Sequence, residues 1–107
     1  MATAEEANRL AVIIVTDLPS DVTAEDYMKI GEIIGRNGAP DGLVFHSGFA
    51  AGNHIQVVDA WESRDHYDAF RNSQLLPALG LVMGNRLAQI GTPPLPAQHD
   101  PLDLLLP

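Results

Sequence analysis

Asp59 is the residue most suited to chemistry, because it falls in the run His54 to Glu62 with Ile55, Val57 and Trp61 at alternate positions. Alternate residues of a strand point the same way. A carboxylate on such an apolar face is costly unless it is paired or protonated, and burial pushes a carboxyl toward its neutral form. A carboxyl tuned in this way can serve as a general base or hold a substrate hydroxyl. It also has a purely structural use, accepting backbone donors at the start of a helix beginning near Ser63, or pairing with an arginine. His46 belongs to the neighbouring run Leu43 to Phe49. A side chain that titrates near neutrality beside a carboxylate can move protons in an oxidation, a dehydration or a cyclisation. Its meeting with Asp59 depends on strand register, and a strand histidine serves equally as a hydrogen-bonded structural residue or faces a partner subunit.

Trp61, Tyr67, Tyr27 and Phe70 are spaced to form an aromatic wall between helices and a sheet. Such a wall can stack on a flat ligand while the tyrosine hydroxyls orient it. The same residues make an ordinary core, Phe70 above all. The candidate set is therefore Asp59 and His46 for catalysis, with Trp61, Tyr67, Tyr27 and Phe70 for substrate binding. His54, His66 and His99 lack metal-ligand spacing and read as surface residues. No glycine loop for phosphate, no nucleophilic serine motif and no basic aromatic patch is present, so neither a cofactor nor a metal is expected.

The elements that would position these side chains follow from local patterning. Leu10 to Thr16 is a β-branched apolar run that suits a first strand covered on both faces. Thr23 followed by Asp26 can cap a helix that puts Tyr27, Ile30, Gly31 and Ile34 on one side, with Gly31 letting the backbone approach the sheet. The cluster Gly35, Gly38, Pro40 and Gly42 ends that helix, and the next two runs make a hairpin through Ala50, Ala51, Gly52 and Asn53. Ser63 caps a helix burying Tyr67 and Phe70, and a break is expected near Asn72. Ser73 then caps another helix with Pro77 in its first turn and Leu75, Leu79, Val82, Met83 and Ile90 on its apolar side. Residues 91–96 read as a stiff connector. Ala97 to Leu106 reads as a fourth strand confined to an edge by Pro101, or as a tail laid over a partner.

This order, β-α-β-β-α-β, is the ferredoxin-like α+β pattern, an antiparallel sheet with helices on one side. At 107 residues the chain is sized for a single domain, 1–107. The face carrying Val58 and Ala60 has nothing of its own to cover it, so a homodimer with two sheets face to face is expected. A net charge of −8 disfavours phosphate backbones and anionic lipid, which removes nucleic acid and membrane surfaces as partners. The absence of cysteine rules out disulfide and thiolate chemistry and suits the reducing cytoplasm.

The stretch Gly42 to Leu79 resembles the antibiotic biosynthesis monooxygenase family, within the dimeric α+β barrel superfamily. The resemblance is carried by His46, by Val58-Asp59-Ala60-Trp61-Glu62-Ser63, by Phe70 and by Leu75-Leu76-Pro77-Ala78-Leu79. It implies a cavity between helices and sheet for small, often aromatic or polyketide molecules, which some members oxidise without metal or flavin. Trp61 and Tyr67 match the spacing of a Trp and a Tyr that line the pocket in quinone-forming members. Val57 and Leu81 stand where those members carry polar side chains. Haem-degrading relatives resemble the chain at the strand-to-helix turn but use a Trp and a His where Phe70 and Gly80 stand, and an Asn on strand one that is missing here.

Two functions are therefore expected to compete. One is a homodimeric enzyme similar to cofactor-independent monooxygenases or cyclases, acting on an aromatic or polyketide-like substrate by acid-base chemistry in a helix-sheet pocket. The other is a non-catalytic small-ligand-binding or accessory dimeric domain. A helix-sheet space filled by side chains, with Asp59 and His46 both satisfied, favours the second, and a roomy cavity faced by Asp59 favours the first.

Overall fold

The computed structural model describes residues 11–86 and 96–101. Leu10, Ile90, most of the expected connector and the end of the chain from Leu102 lie outside these residues. Strand β1 spans Val12–Asp17, helix α1 Ala24–Gly35, strands β2 and β3 Leu43–Ala51 and His54–Trp61, helix α2 Arg64–Phe70, helix α3 Leu76–Met83 and strand β4 Ala97–His99. The sheet is antiparallel in the order β2-β3-β1-β4, the ferredoxin-like arrangement expected from the sequence.

Local chemistry accounts for most element ends. Thr23 and Asp26 form a reciprocal capping box, each side chain accepting the other's backbone N–H at 3.1 Å. Gly52, with φ 68°, takes the first central place of the two-residue turn between β2 and β3, which glycine adopts without steric cost. Ser63 accepts from the His66 N–H and starts α2. The expected fourth strand is present only as the short edge strand β4, paired with β1 and ending before Pro101, consistent with a proline that cannot donate to a ladder.

Two expectations are overturned. There is no break near Asn72 and Ser73 caps nothing. Instead α2 runs through a π-helical turn, Arg71–Leu75, into α3, and the Leu76 N–H reaches the Arg71 carbonyl. Pro77 lacks an N–H for the Ser73 carbonyl and would crowd it, and one wider turn relieves that conflict without ending the helix. The Ser73 hydroxyl donates back to the Ala69 carbonyl at 2.7 Å. Gly31 does not bring α1 against the sheet either, because a Cβ placed there would meet nothing within 4 Å. Its missing side chain leaves space.

That space divides the core. One cluster joins Val22 and Ile30 to Ala78, Leu79 and Met83 between α1 and α3, and a second gathers Ile14, Trp61 and Tyr67 against the sheet. Asp26 ties the ends of the helical layer together, its buried carboxylate accepting from both terminal nitrogens of Arg86 at 2.8 and 3.1 Å. The Arg86 guanidinium first, and then the Thr23 N–H, hold the Asp26 carboxyl down at about 2 against an ordinary 3.8. A depressed carboxyl stabilises the fold above its ordinary value, and that stabilisation fades as pH falls toward about 2. Urea unfolding at a series of pH values should show stability falling across that window in the wild type and a shallower fall in Asp26→Asn.

Candidate functional site

The cavity lies between the two core clusters, with a volume of about 740 Å³. Its helical wall is Tyr27, Ile30, Gly31, Ile34 and Gly35 of α1, and its floor is Thr16, His46, Val57, Asp59 and Trp61 of the sheet. Tyr67 and Phe70 of α2, Leu75 of the π turn and Leu79 of α3 close it. Among the described residues, no Lys or Arg lines it. The helix-sheet space is therefore roomy and faced by Asp59.

Strand register explains how His46 reaches this cavity. β3 alternates regularly, placing Val57, Asp59 and Trp61 on the helix side. In β2, Leu43 pairs with Trp61, but Phe45 pairs with Ala60 and His46 with Asp59, so Val44 is an extra residue at a bulge. The bulge reverses the alternation, and both Leu43 and His46 face the cavity. Phe45 consequently points to the opposite face.

The His46 Nδ1 lies 2.5 Å from the Asp59 Oδ1, and its Nε2 lies 2.9 Å from the Tyr27 hydroxyl. A carboxylate only accepts, so Nδ1 carries a proton and donates to Asp59, while Nε2 of the neutral ring accepts from Tyr27. Asp59 is 6% exposed, whereas the His46 side chain is 47% exposed, which leaves the ring open to solvent and ligand. The hydrogen bond to Asp59 raises the His46 pKa above 6.5 against an opposing effect of burial. Burial, reinforced by the Asp59 charge, raises the Tyr27 pKa above that of an ordinary phenol. Burial raises the Tyr67 pKa also.

The aromatic residues pack as expected, with the Trp61 ring 5.8 Å from Tyr67 in an edge geometry and 5.0 Å from Phe70. Trp61 is 1% exposed, and its Nε1 has no hydrogen-bond partner among the described residues. A buried donor left unpaired costs about 1–3 kcal/mol. All six sequence-derived candidates line the one cavity. Among the described residues Asp59 neither caps the Ser63 helix nor pairs with an arginine; its partner is His46. The hydrogen bond of Tyr27 to His46 was not legible in the sequence, since it needs both the bulge and the absence of a side chain at Gly48.

Of the remaining histidines, His54 bonds to Asp17 at 2.9 Å and His66 to the Ser63 hydroxyl at 2.6 Å. His99 is exposed. Among the described residues no group of three or more acidic or histidine side chains is gathered as a metal site, and no helix is long and apolar enough to cross a membrane.

No protein-family model and no curated protein matches the chain. Solved structures do. The NE2512 protein of unknown function from Nitrosomonas europaea aligns with a TM-score of 0.60 at 21% identity, covering 91% of this chain and 92% of that one. A putative antibiotic biosynthesis monooxygenase from Caulobacter crescentus aligns with a TM-score of 0.56 at 15% identity, over 87% and 89% of the two chains. The heme degrader MhuD from Mycobacterium tuberculosis, whose structure holds two hemes in its active site, aligns with a TM-score of 0.51 at 17% identity, over 89% and 98%. The chain thus has the ferredoxin-like α+β fold of antibiotic biosynthesis monooxygenase-like structures, the fold implied by the resemblance of its sequence.

Because the Asp59 hydrogen bond is the main cause of the raised His46 pKa, Asp59→Asn should bring the His46 titration midpoint below 6.5, leaving burial to act alone. NMR titration of the histidine ring protons would read this directly. A raised histidine stabilises the fold fully below its ordinary pKa, and that contribution is lost as pH rises through the raised value. The stability gap between wild type and Asp59→Asn should therefore narrow on going from pH 6 to pH 9.

Proposed function

We propose that this chain is a cytoplasmic small-molecule enzyme that withdraws a proton from an aromatic or polyketide-like substrate held between its helices and sheet, in the manner of cofactor-independent monooxygenases and cyclases. The observation that carries the reading is the 2.5 Å contact of His46 with Asp59 on the wall of a 740 Å³ cavity. A histidine held above 6.5 by a carboxylate is poised to accept a proton near neutral pH. Asp59 orients the ring and stabilises the imidazolium that forms. Trp61 and Tyr67 bound the substrate together with Tyr27 and Phe70.

The lining favours a neutral, largely apolar molecule. Among the described residues it offers two carboxylates, Asp59 and Glu32, and no Lys or Arg, so a substrate carrying a carboxylate or phosphate would be repelled. Removing a proton from a phenol or an enolisable ketone leaves a delocalised anion, the species that can react with oxygen or close a ring without help from a cofactor. The accessory-domain alternative is not favoured, because the space it would have filled is open.

The reading includes a second copy of the chain. On the face away from the helices, Phe45 and Phe49 are 46% and 44% exposed. By the strand pairing they share that face with Ile13, Val15, Val58 and Ala60. Ala60 is already fully buried there, and two such sheets face to face would bury the exposed Phe45 and Phe49 rings as well. Nucleic acid and membrane surfaces are not partners in this reading.

With a substrate found by screening phenols and enolisable polyketide mimics, His46→Ala and Asp59→Asn should each lower kcat about 100-fold or more, the range for losing acid-base catalysis. Unchanged turnover in both would remove them from the mechanism. Native mass spectrometry at low micromolar concentration should show a dimer, and Phe45→Asp should convert it to monomer. A wild-type monomer would refute the pairing.

A further inference from the structure

Both ring nitrogens of His46 are taken, Nδ1 by Asp59 and Nε2 by the hydroxyl of Tyr27. The nitrogen that should receive a substrate proton is thus covered, and the atom that covers it belongs to a cavity-lining side chain. The two rings lie nearly parallel, 17° apart. The sheet is also shaped for this hydroxyl. Gly48 sits two residues beyond His46 on the same face of β2, opposite Val57, and a Cβ there would overlap the Tyr27 hydroxyl and its Cζ. Its φ is not positive, so glycine is required at this point for room and not for backbone conformation.

We propose that Tyr27 is the catalytic residue that touches the acidic hydrogen of the substrate, and that Gly48 is the positioning residue that seats it. This deepens the function proposed above and rests on it. The substrate O–H or C–H bond breaks and its proton goes to the Tyr27 oxygen. In the same event the Tyr27 proton passes to His46 Nε2, and the bonding pair stays on the substrate as its anion. Tyr27 ends as it began, one proton has moved to His46, and the imidazolium is neutralised by the Asp59 carboxylate. Passing one proton on while taking another avoids a free tyrosinate, which the buried setting of Tyr27 disfavours.

The test uses the full chain and 4-nitrophenol, whose absorbance reports whether it is bound as phenol or phenolate. Wild-type protein should bind it with its pKa lowered by about one unit, a tenfold rise in the ratio of phenolate to phenol at a given pH. Tyr27→Phe should still bind the probe but lose that rise. Gly48→Ala should lose it equally, and the double variant should lose no more. As a readout independent of the probe, Gly48→Ala should move the His46 NMR titration midpoint to the value found in Tyr27→Phe.

A Tyr27→Phe variant that ionises the probe as wild type does would overturn the relay and leave His46 as the direct base, provided His46→Gln abolishes the effect. A His46→Gln variant that also ionises it normally, or a wild-type chain that fails to bind the probe, would sink the function on which the relay rests. Loss of binding in Tyr27→Phe, with no change in the ionisation of what remains bound, would reduce Tyr27 to a wall residue and refute the relay.

Discussion

The site depends on a bulge that takes one residue, Val44, out of the pairing of an edge strand. Strand side chains alternate strictly, so if Val44 kept a regular place in the ladder the strand that aims Leu43 at the cavity would turn His46 to the opposite face. The bulge lets both face inward and brings an imidazole against a buried carboxylate. It also resolves the cost of burying Asp59 on an apolar sheet, since a carboxylate with a 2.5 Å donor is no longer an isolated charge.

The cavity exists because side chains are missing where a core would have them. Gly31 and Gly35 both line the cavity from α1, and the mid-helix one, Gly31, costs about 0.5–1 kcal/mol relative to alanine. Nothing presses on Gly31 to require it. Gly48 is the opposite case, a glycine forced by contact. The distinction between a glycine that leaves room and one that admits a neighbour separates the volume of the site from its geometry.

Much of the arrangement was legible in the sequence. The Thr23–Asp26 capping box, the alternation of Ile55, Val57, Asp59 and Trp61, and the edge status imposed by Pro101 each rest on short-range rules, and each appears in the fold. What escaped notice needed information from elsewhere in the chain. Val44 is indistinguishable from any β-branched strand residue until the partner strand is in place. Pro77 read as permitted in the first turn of a new helix, but the chain had an alternative, widening one turn and carrying on. Gly31 read as an approach point because the pattern says which way a residue faces, not how far off its neighbours stand.

Phe45 and His46 are consecutive, yet they look out of opposite sides of the sheet. One peptide unit therefore separates a bare aromatic ring from the imidazole on the cavity wall. Any body that clamps the ring also limits how far the strand can rock, and with it how steadily the imidazole is aimed at Asp59. A change of grip on the outside would be felt inside as a change of alignment, with no hinge or messenger between them.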